Sequence, residues 1–318
     1  MRSYLDFEKP VAELEAKVEE LRAMQSGGDA IAINDEIGRI EVKAAQALKA
    51  LYGDLTPWQK TQVARHPQRP HYLDYVGALI SDFVPLAGDR KHGEDEAIVG
   101  GFGRFRGESI CVIGQEKGSD TEGRLKHNFG MARPEGYRKA ARLMGMADHF
   151  GIPVLALIDT PGAYPGIGAE ERGQAEAIAR STAACLEMGV ANVAVIIGEG
   201  GSGGAIALAT ANRVIMLEHA IYSVISPEGA ASILWRDTAK TQEAASGMKI
   251  TAEDLERFGI VDAIVSEPSG GAHRDPAAAI AATGQAIGNA LGELRGLDRA
   301  TIARLRQEKF LTIGRTLG

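Results

Sequence analysis

Residues 193–209 read VAVIIGEGGSGGAIALA. The unbroken apolar run at its start is what a strand buried on both faces of a parallel sheet requires. Five glycines then fall within residues 198–204, followed by small apolar residues that suit a tightly packed helix. Such a junction lets backbone N–H groups and the positive helix end approach an anionic or polarised oxygen. Three chemistries use that geometry. Gly198-x-Gly200-x-x-Gly203, with Glu218 ending the next strand, has the spacing of a dinucleotide site. Such a unit usually opens its domain, whereas this one follows a series of strands and helices. Gly200-Gly201-Ser202-Gly203-Gly204 fits the G-x-S-x-G pattern of a serine nucleophile. The downstream histidines are only His219 and His273, and Ser202 as a helix cap is the plainer reading. The third chemistry is an oxyanion hole, two backbone donors aimed at charge that develops on a carbonyl oxygen.

A second stretch, IPVLALIDTPGAYPG at 152–166, repeats the pattern of buried strand, glycine loop and helix. Gly162 or Ala163 from this loop and Gly203 or Gly204 from the first can each give one amide to a shared site. Around them lie the apolar runs AIVGG, SICVIG, VANVAVII, RVIMLE, YSVI and DAIVS. Helical patterns fall at 134–149, 169–188 and 227–235, the first and last opening on Pro134-Glu135 and Ser226-Pro227-Glu228. Strands alternating with helices predict an α/β domain. Two more helices, near 274–296 and 298–310, follow it. The first 90 residues differ. Val11, Leu14, Val18 and Leu21, then Ile33, Ile37, Ile40, Ala44 and Leu48, have helical spacing on either side of Gly27-Gly28, and 72–80 reads as a further helix. The expected division is a helical extension over 1–90 and an α/β domain over 91–318.

Composition narrows the function. Lys and Arg total 35 against 42 Asp and Glu, so net charge is −7 and nothing global attracts nucleic acid or an anionic membrane. No run of about 18 apolar residues is long enough to span a bilayer, and the acidic start is unlike a signal peptide. Two distant cysteines, Cys111 and Cys185, fit neither a disulfide framework nor a zinc site. A cytoplasmic protein without its own metal is expected.

Asp159-Thr160-Pro161-Gly162-Ala163-Tyr164-Pro165-Gly166, taken with Gly198 to Ala205, resembles the carboxyltransferase branch of the crotonase-like (ClpP/crotonase) fold. Asn128-Phe129-Gly130-Met131, PEGYRKA at 134–140 and YSVISPEG at 222–229 agree. With the helical preface, the chain is similar over essentially its whole length to the carboxyltransferase alpha-subunit family of bacterial acetyl-CoA carboxylase. The resemblance implies a repeated ββα spiral core and an active site shared with a beta subunit, in an α2β2 core. There a carboxyl group passes from carboxybiotin, on the biotin carboxyl carrier protein, to acetyl-CoA, giving malonyl-CoA for fatty acid synthesis. It further implies that the backbone of Gly162, Ala163, Gly203 and Gly204 forms oxyanion holes, and that Tyr164 and Gly201 contact substrate. ATP then belongs to the separate biotin carboxylase. The alternative is a stand-alone crotonase-like hydratase or isomerase of acyl-CoA, which needs its own acids in the pocket.

Residues 124–142 hold Arg124, Lys126, Arg133, Arg138, Lys139 and Arg142 against one acid, Glu135. Arg133, Arg138 and Lys139 are candidates for CoA phosphates or the beta subunit, set against an ordinary solvated helix face. Met248-Lys249-Ile250 is not in hairpin context, which argues against biotin attachment. His273 is a candidate for the site, with a helix-start residue the plainer reading.

Overall fold

Continuous apolar runs become the strands of one mixed sheet. The computed structural model describes residues 3–24 and 30–315, and the Gly27-Gly28 pair lies outside the described residues. A helical hairpin comes first, α1 (Lys9–Met24) and α2 (Ala30–Tyr52), closing over Val18, Ile37 and Ile40. α3 (Pro57–Ala64) opens with a proline where no N–H is needed, and the Thr56 hydroxyl caps it by accepting from the Gln59 amide at 3.2 Å. α4 (Tyr72–Leu79) runs straight into β1 (Ile80–Pro85), which pairs antiparallel with β2 (Ile98–Phe105), itself antiparallel to β3 (Glu108–Gln115). Then come α5 (Thr121–Lys126), α6 (Pro134–Phe150), β4 (Val154–Thr160), α7 (Ile167–Glu171), α8 (Gln174–Glu187), β5 (Asn192–Gly201) and α9 (Ser202–Ala209). β6 (Arg213–Leu217), β7 (Ile221–Ser223), α10 (Pro227–Trp235), α11 (Thr241–Gly247), α12 (Ala252–Arg257) and β8 (Ala263–Val265) follow. α13 (Pro276–Leu294) and α14 (Arg299–Thr312) end the described chain. The sheet runs β1-β2-β3-β4-β5-β6-β8, parallel from β3 onward, with β7 joining β5. Among the described residues no helix is long and apolar enough to cross a membrane.

Two expectations are corrected. The helix read over 72–80 stops at Leu79, and Ile80–Pro85 enters the sheet as its edge strand. An edge strand with one exposed face needs no apolar run, so ISDFVP gives little signal. Tyr72, Tyr75 and Val76 also lie in the main core. The division near residue 90 therefore cuts between β1 and β2, through one core. The helix read over 169–188 is two, because Gly173 takes a left-handed conformation at φ 80° between α7 and α8.

Buried charges tie the hairpin to the sheet. Glu8 is fully buried, accepting from the Leu5 amide at 2.7 Å and the Tyr52 hydroxyl at 3.0 Å, while Arg274 reaches Glu15 at 2.8 Å. Arg69 and Glu267 form a buried two-bond pair, at 2.7 and 2.8 Å, and Arg69 also donates to the Ile197 carbonyl of β5. The His66 and His273 rings stack here, centroids 3.8 Å apart. His273 is thus a joint residue, neither a helix start nor part of the glycine loops.

α14 is pinned by one side chain. Arg306 is fully buried and, among the described residues, has no carboxylate partner. Its guanidinium donates instead to the carbonyls of Leu186, Met188 and Val190 and to the side-chain oxygens of Asn192 and Asn212. Burial lowers it to about 10. Cys111 and Cys185 are free and buried, and burial pushes both thiols up to about 12.

Candidate active site

β4 and β5 are buried along their whole length and run parallel, in register from Val154↔Asn192 to Ile158↔Ile196. The next pairing is Thr160↔Gly200, so β5 carries two extra residues at this point. Its first half pairs with β6 and its last three residues with β7. The strand continues through Gly201, so Gly198 and Gly200 are extended backbone and not the open phosphate loop of the dinucleotide reading, and Gly203 already lies in α9. Glu218, the acid of that reading, instead accepts from the Glu267 amide at 2.9 Å.

The two junctions touch. A Cβ on Gly201 would collide with the carbonyl of Pro161, and one on Gly204 would come within 2.8 Å of Gly162 C and 2.9 Å of Ala163 N. Glycine at both positions is therefore a matter of backbone packing against the 160–166 loop. In that loop Gly162 has φ 148°, and the Thr160 hydroxyl accepts its amide at 3.0 Å and donates to its carbonyl at 2.8 Å. The Gly162 amide is thus occupied, and the Ala163 amide is the donor this loop has to offer. On the other side α9 starts with no side-chain cap, leaving its first amides without intrahelical partners. Ser202 is not the cap expected of it. It sits at the bend with φ 55°, a conformation costly for a residue with a Cβ.

A charged cluster surrounds this junction. The Asp159 carboxylate accepts from the Glu199 amide at 2.9 Å and the Lys117 ammonium at 2.6 Å, and occupies the place where a Gly198 side chain would stand. Burial alone would raise the Asp159 carboxyl, but Lys117 and His71 outweigh it and hold the group well below the usual carboxylate range. Glu199 is claimed by Arg65 at 2.6 Å, and Arg65 also pairs with Glu228 at 2.6 Å. Arg65, Lys117, Phe129, Pro161 and Glu199 line a cleft of about 260 Å³. Asn128, Phe129 and Gly130 all have positive φ there, and Phe129 stays 45% exposed. Of these residues, Arg65, His71 and Lys117 did not stand out in the sequence.

The basic stretch divides in two. Arg138 is bound to Asp89 at 2.7 Å and Glu135 at 3.2 Å, with its side chain 10% exposed. Lys139 is buried against Glu94 and the Asp95 carbonyl, and Arg142 donates to the carbonyls of Leu86, Ala87 and Gly88. These three clamp the 86–95 loop, and their charges are spent inside the chain. Arg133 differs. Its side chain is exposed, with the guanidinium 4.8 Å from the centre of the half-buried Tyr164 ring. Lys249 is exposed after α11 and outside any hairpin. Among the described residues no group of three or more His, Cys, Asp or Glu could hold a metal ion.

A family model described as acetyl co-enzyme A carboxylase carboxyltransferase-like matches residues 4–314. The acetyl-coenzyme A carboxylase carboxyl transferase subunit alpha of Nitrobacter winogradskyi is 74% identical over 318 residues, covering 100% of this chain and 99% of its own. The same subunit of Xanthobacter autotrophicus is 72% identical over 317 residues, with 100% of both chains covered. Among solved structures, transcarboxylase 12S gives a TM-score of 0.59 at 21% identity, covering 76% of this chain and 44% of its own. This chain thus spans less than half of that one. A Pseudomonas malonate decarboxylase hetero-tetramer, solved with coenzyme A, contains a chain with TM-score 0.56 at 18% identity, covering 70% and 90%. These distant structures speak for the fold, which is crotonase-like. The near relatives, matched from end to end, decide the rest: the chain belongs to the acetyl-CoA carboxylase carboxyltransferase alpha-subunit family.

Proposed function

We propose that the chain forms one half of a composite carboxyltransferase site, with a beta subunit supplying the other half in an α2β2 core. The N–C bond of carboxybiotin, presented by a biotin carboxyl carrier protein, breaks there. When bound, carboxybiotin would supply the carboxyl group as CO2 and, on the nitrogen it vacates, a base for the methyl proton of acetyl-CoA, and the enolate carbon and that CO2 would form the new C–C bond of malonyl-CoA. Negative charge passes to the ureido oxygen and to the thioester oxygen on the way. In this chain the amides of Ala163 and of Gly203 or Gly204 serve the ureido oxygen, while the beta subunit holds the acyl-CoA enolate. Fixed donors need not reorganise as the charge arrives, and loss of one such donor costs ~2.7–4 kcal/mol in another enzyme. Arg133, exposed beside Tyr164, is the cation proposed to meet a CoA phosphate. ATP is consumed only by the partner biotin carboxylase.

The observation that carries this reading is the close approach of the uncapped start of α9 to the 160–166 loop, which sets the backbones of two strand-end junctions against each other. The stand-alone hydratase is disfavoured because Glu199, the acid within the glycine segment, is held by Arg65 and Lys117. Turnover is measured for the purified chain alone, for its mixture with a beta subunit, and for the mixture made with Gly204→Pro, which removes a donor. Malonyl-CoA is expected only in the mixture. The proline variant is expected to lose kcat by a further roughly 10²–10³-fold beyond Gly204→Ala, which carries the same added carbon but keeps the donor, while circular dichroism and sizing stay normal. Hydration of an enoyl-CoA by the chain alone overturns the proposal.

A further inference from the structure

Two donors from separate loops are useful only if their spacing is fixed, and the two junctions belong to different strands. One side chain joins them. Gln115, the last residue of β3, is fully buried. Its amide nitrogen donates to the Gly204 carbonyl at 3.1 Å, and its oxygen accepts from the Asp159 amide at 3.3 Å. A single planar carboxamide thus bridges the first turn of α9 and the end of β4. This bridge lies where the ordinary ladder fails, since β4 and β5 lose register between Ile158 and Thr160. A second tether closes the same gap. Asp159 reaches across to the Glu199 amide, and Lys117, two residues beyond Gln115, neutralises it. The end of β3 therefore supplies both the bridge and the counter-charge that hold the loops apart by a set distance.

We propose that Gln115 is a positioning residue for carboxyl transfer, its carboxamide setting the separation between the Ala163 amide and the amides at the start of α9. The inference rests on the reading of those amides as the donors. It places the effect of Gln115 on the charge-bearing step, where misplacement by 1 Å can cost about 10²-fold in rate, and not on substrate binding.

The test uses the complete complex with the beta subunit and two variants. Gln115→Met keeps the length and removes both hydrogen bonds. It is expected to lower kcat about 10–10²-fold with the KM for acetyl-CoA within about twofold. Gln115→Glu keeps an acceptor for the Asp159 amide but donates to Gly204 only when protonated. Its kcat relative to wild type is therefore expected to rise as pH falls through the raised pKa of a buried carboxyl. A loss caused only by loosened packing gives no such profile, and Gln115→Glu decides if Gln115→Met does not assemble. Wild-type kcat in Gln115→Met, or a flat pH ratio in an assembled Gln115→Glu complex, refutes the positioning role. Gly204→Pro separates the two levels. Inactive Gly204→Pro beside fully active Gln115→Met sinks the positioning role alone, whereas full activity in both Gly203→Pro and Gly204→Pro complexes sinks the donor assignment beneath it.

Discussion

Replacing Gly204 by alanine keeps the amide N–H and adds one methyl group, so any loss of activity has to come from geometry. The methyl carbon would stand 2.8 Å from Gly162 C and 2.9 Å from Ala163 N, both backbone atoms, and 2.9 Å from the Tyr137 hydroxyl. A side-chain tip can swing away; a strand-end loop held by the Thr160–Gly162 hydrogen bonds cannot. Restoring the 3.4 Å at which ordinary contact begins displaces one loop from the other by about 0.6 Å. Overpacking of this kind costs about 1–3 kcal/mol. Sites tolerate about 0.5 Å before catalysis suffers, and 1 Å can cost about 10²-fold. Gly204→Ala should therefore lower kcat of the reconstituted complex roughly tenfold or more, with a small fall in Tm. The neighbouring position supplies the contrast. A methyl group on Gly203 meets Ile178 at 3.4 and 3.7 Å, which is ordinary contact, so Gly203→Ala should keep the wild-type Tm. Steady-state kinetics with acetyl-CoA and thermal melts of both variants make the comparison. A Gly204→Ala complex with wild-type kcat and Tm would show that the two loops do not set each other's position.

Other outcomes follow from charge and strain. Arg138→Ala leaves the Asp89 carboxylate to its three backbone donors and should lower stability, visible in urea unfolding, without a specific rise in KM. Arg133→Ala should instead keep stability and raise the KM for acetyl-CoA several-fold, an effect that high salt mimics in the wild type. Ser202→Ala should hold kcat within about threefold, and a folded but dead variant would revive the nucleophile reading. Acid should weaken the joint. Burial lowers His66 and His219, and burial together with the facing His66 takes His273 to about 3. Arg69, Arg274, Lys60, Glu8, Glu218 and Glu267 are the charges facing them. Neutral in the folded chain, these rings gain protons on unfolding below the ordinary histidine pKa of about 6.5. Stability is thus complete above that pH and falls from about 6.5 toward 3, by ~1.4 kcal/mol per pH unit for each such proton. Denaturation midpoints between pH 7.5 and 4.5 for wild type and His273→Gln measure the slope.

Parallel strands were the easiest part to read, because burial on both faces makes Val154–Ile158 and Val193–Ile197 unbroken apolar runs. β1 escaped because one of its faces is exposed. The Thr56-Pro57 start of α3, with Gln59 completing the box, was readable in principle but is followed by too short and polar a helix. The glycine junctions were legible for a steric reason that local sequence records, as only glycine lets two backbones meet. Charge pairing was not. Counting charges over 124–142 finds one acid, yet the acids that absorb Arg138 and Lys139, Asp89 and Glu94, lie 49 and 45 residues upstream. Gln115 acts through a partner 89 residues away and leaves no pattern beside it, and Asp159, though it opens a legible motif, gives no sign of its partner 40 residues on. Periodicity reports burial; it does not report which buried groups meet.

The carbonyls at the end of α8 and the start of β5 have Arg306 as their donor, 114 residues beyond Asn192 in the chain. Closing so long a loop is slow, and the loss of chain entropy comes before any bond is made. During synthesis β5, buried along its whole length, therefore waits, with polar groups facing an unfinished interior, until α14 has been made and docked. An intermediate of that kind exposes apolar surface and invites aggregation. Arg306→Lys, which keeps the charge but lacks the fork of five donors, should show its defect first in the yield and rate of refolding, ahead of any change in catalysis.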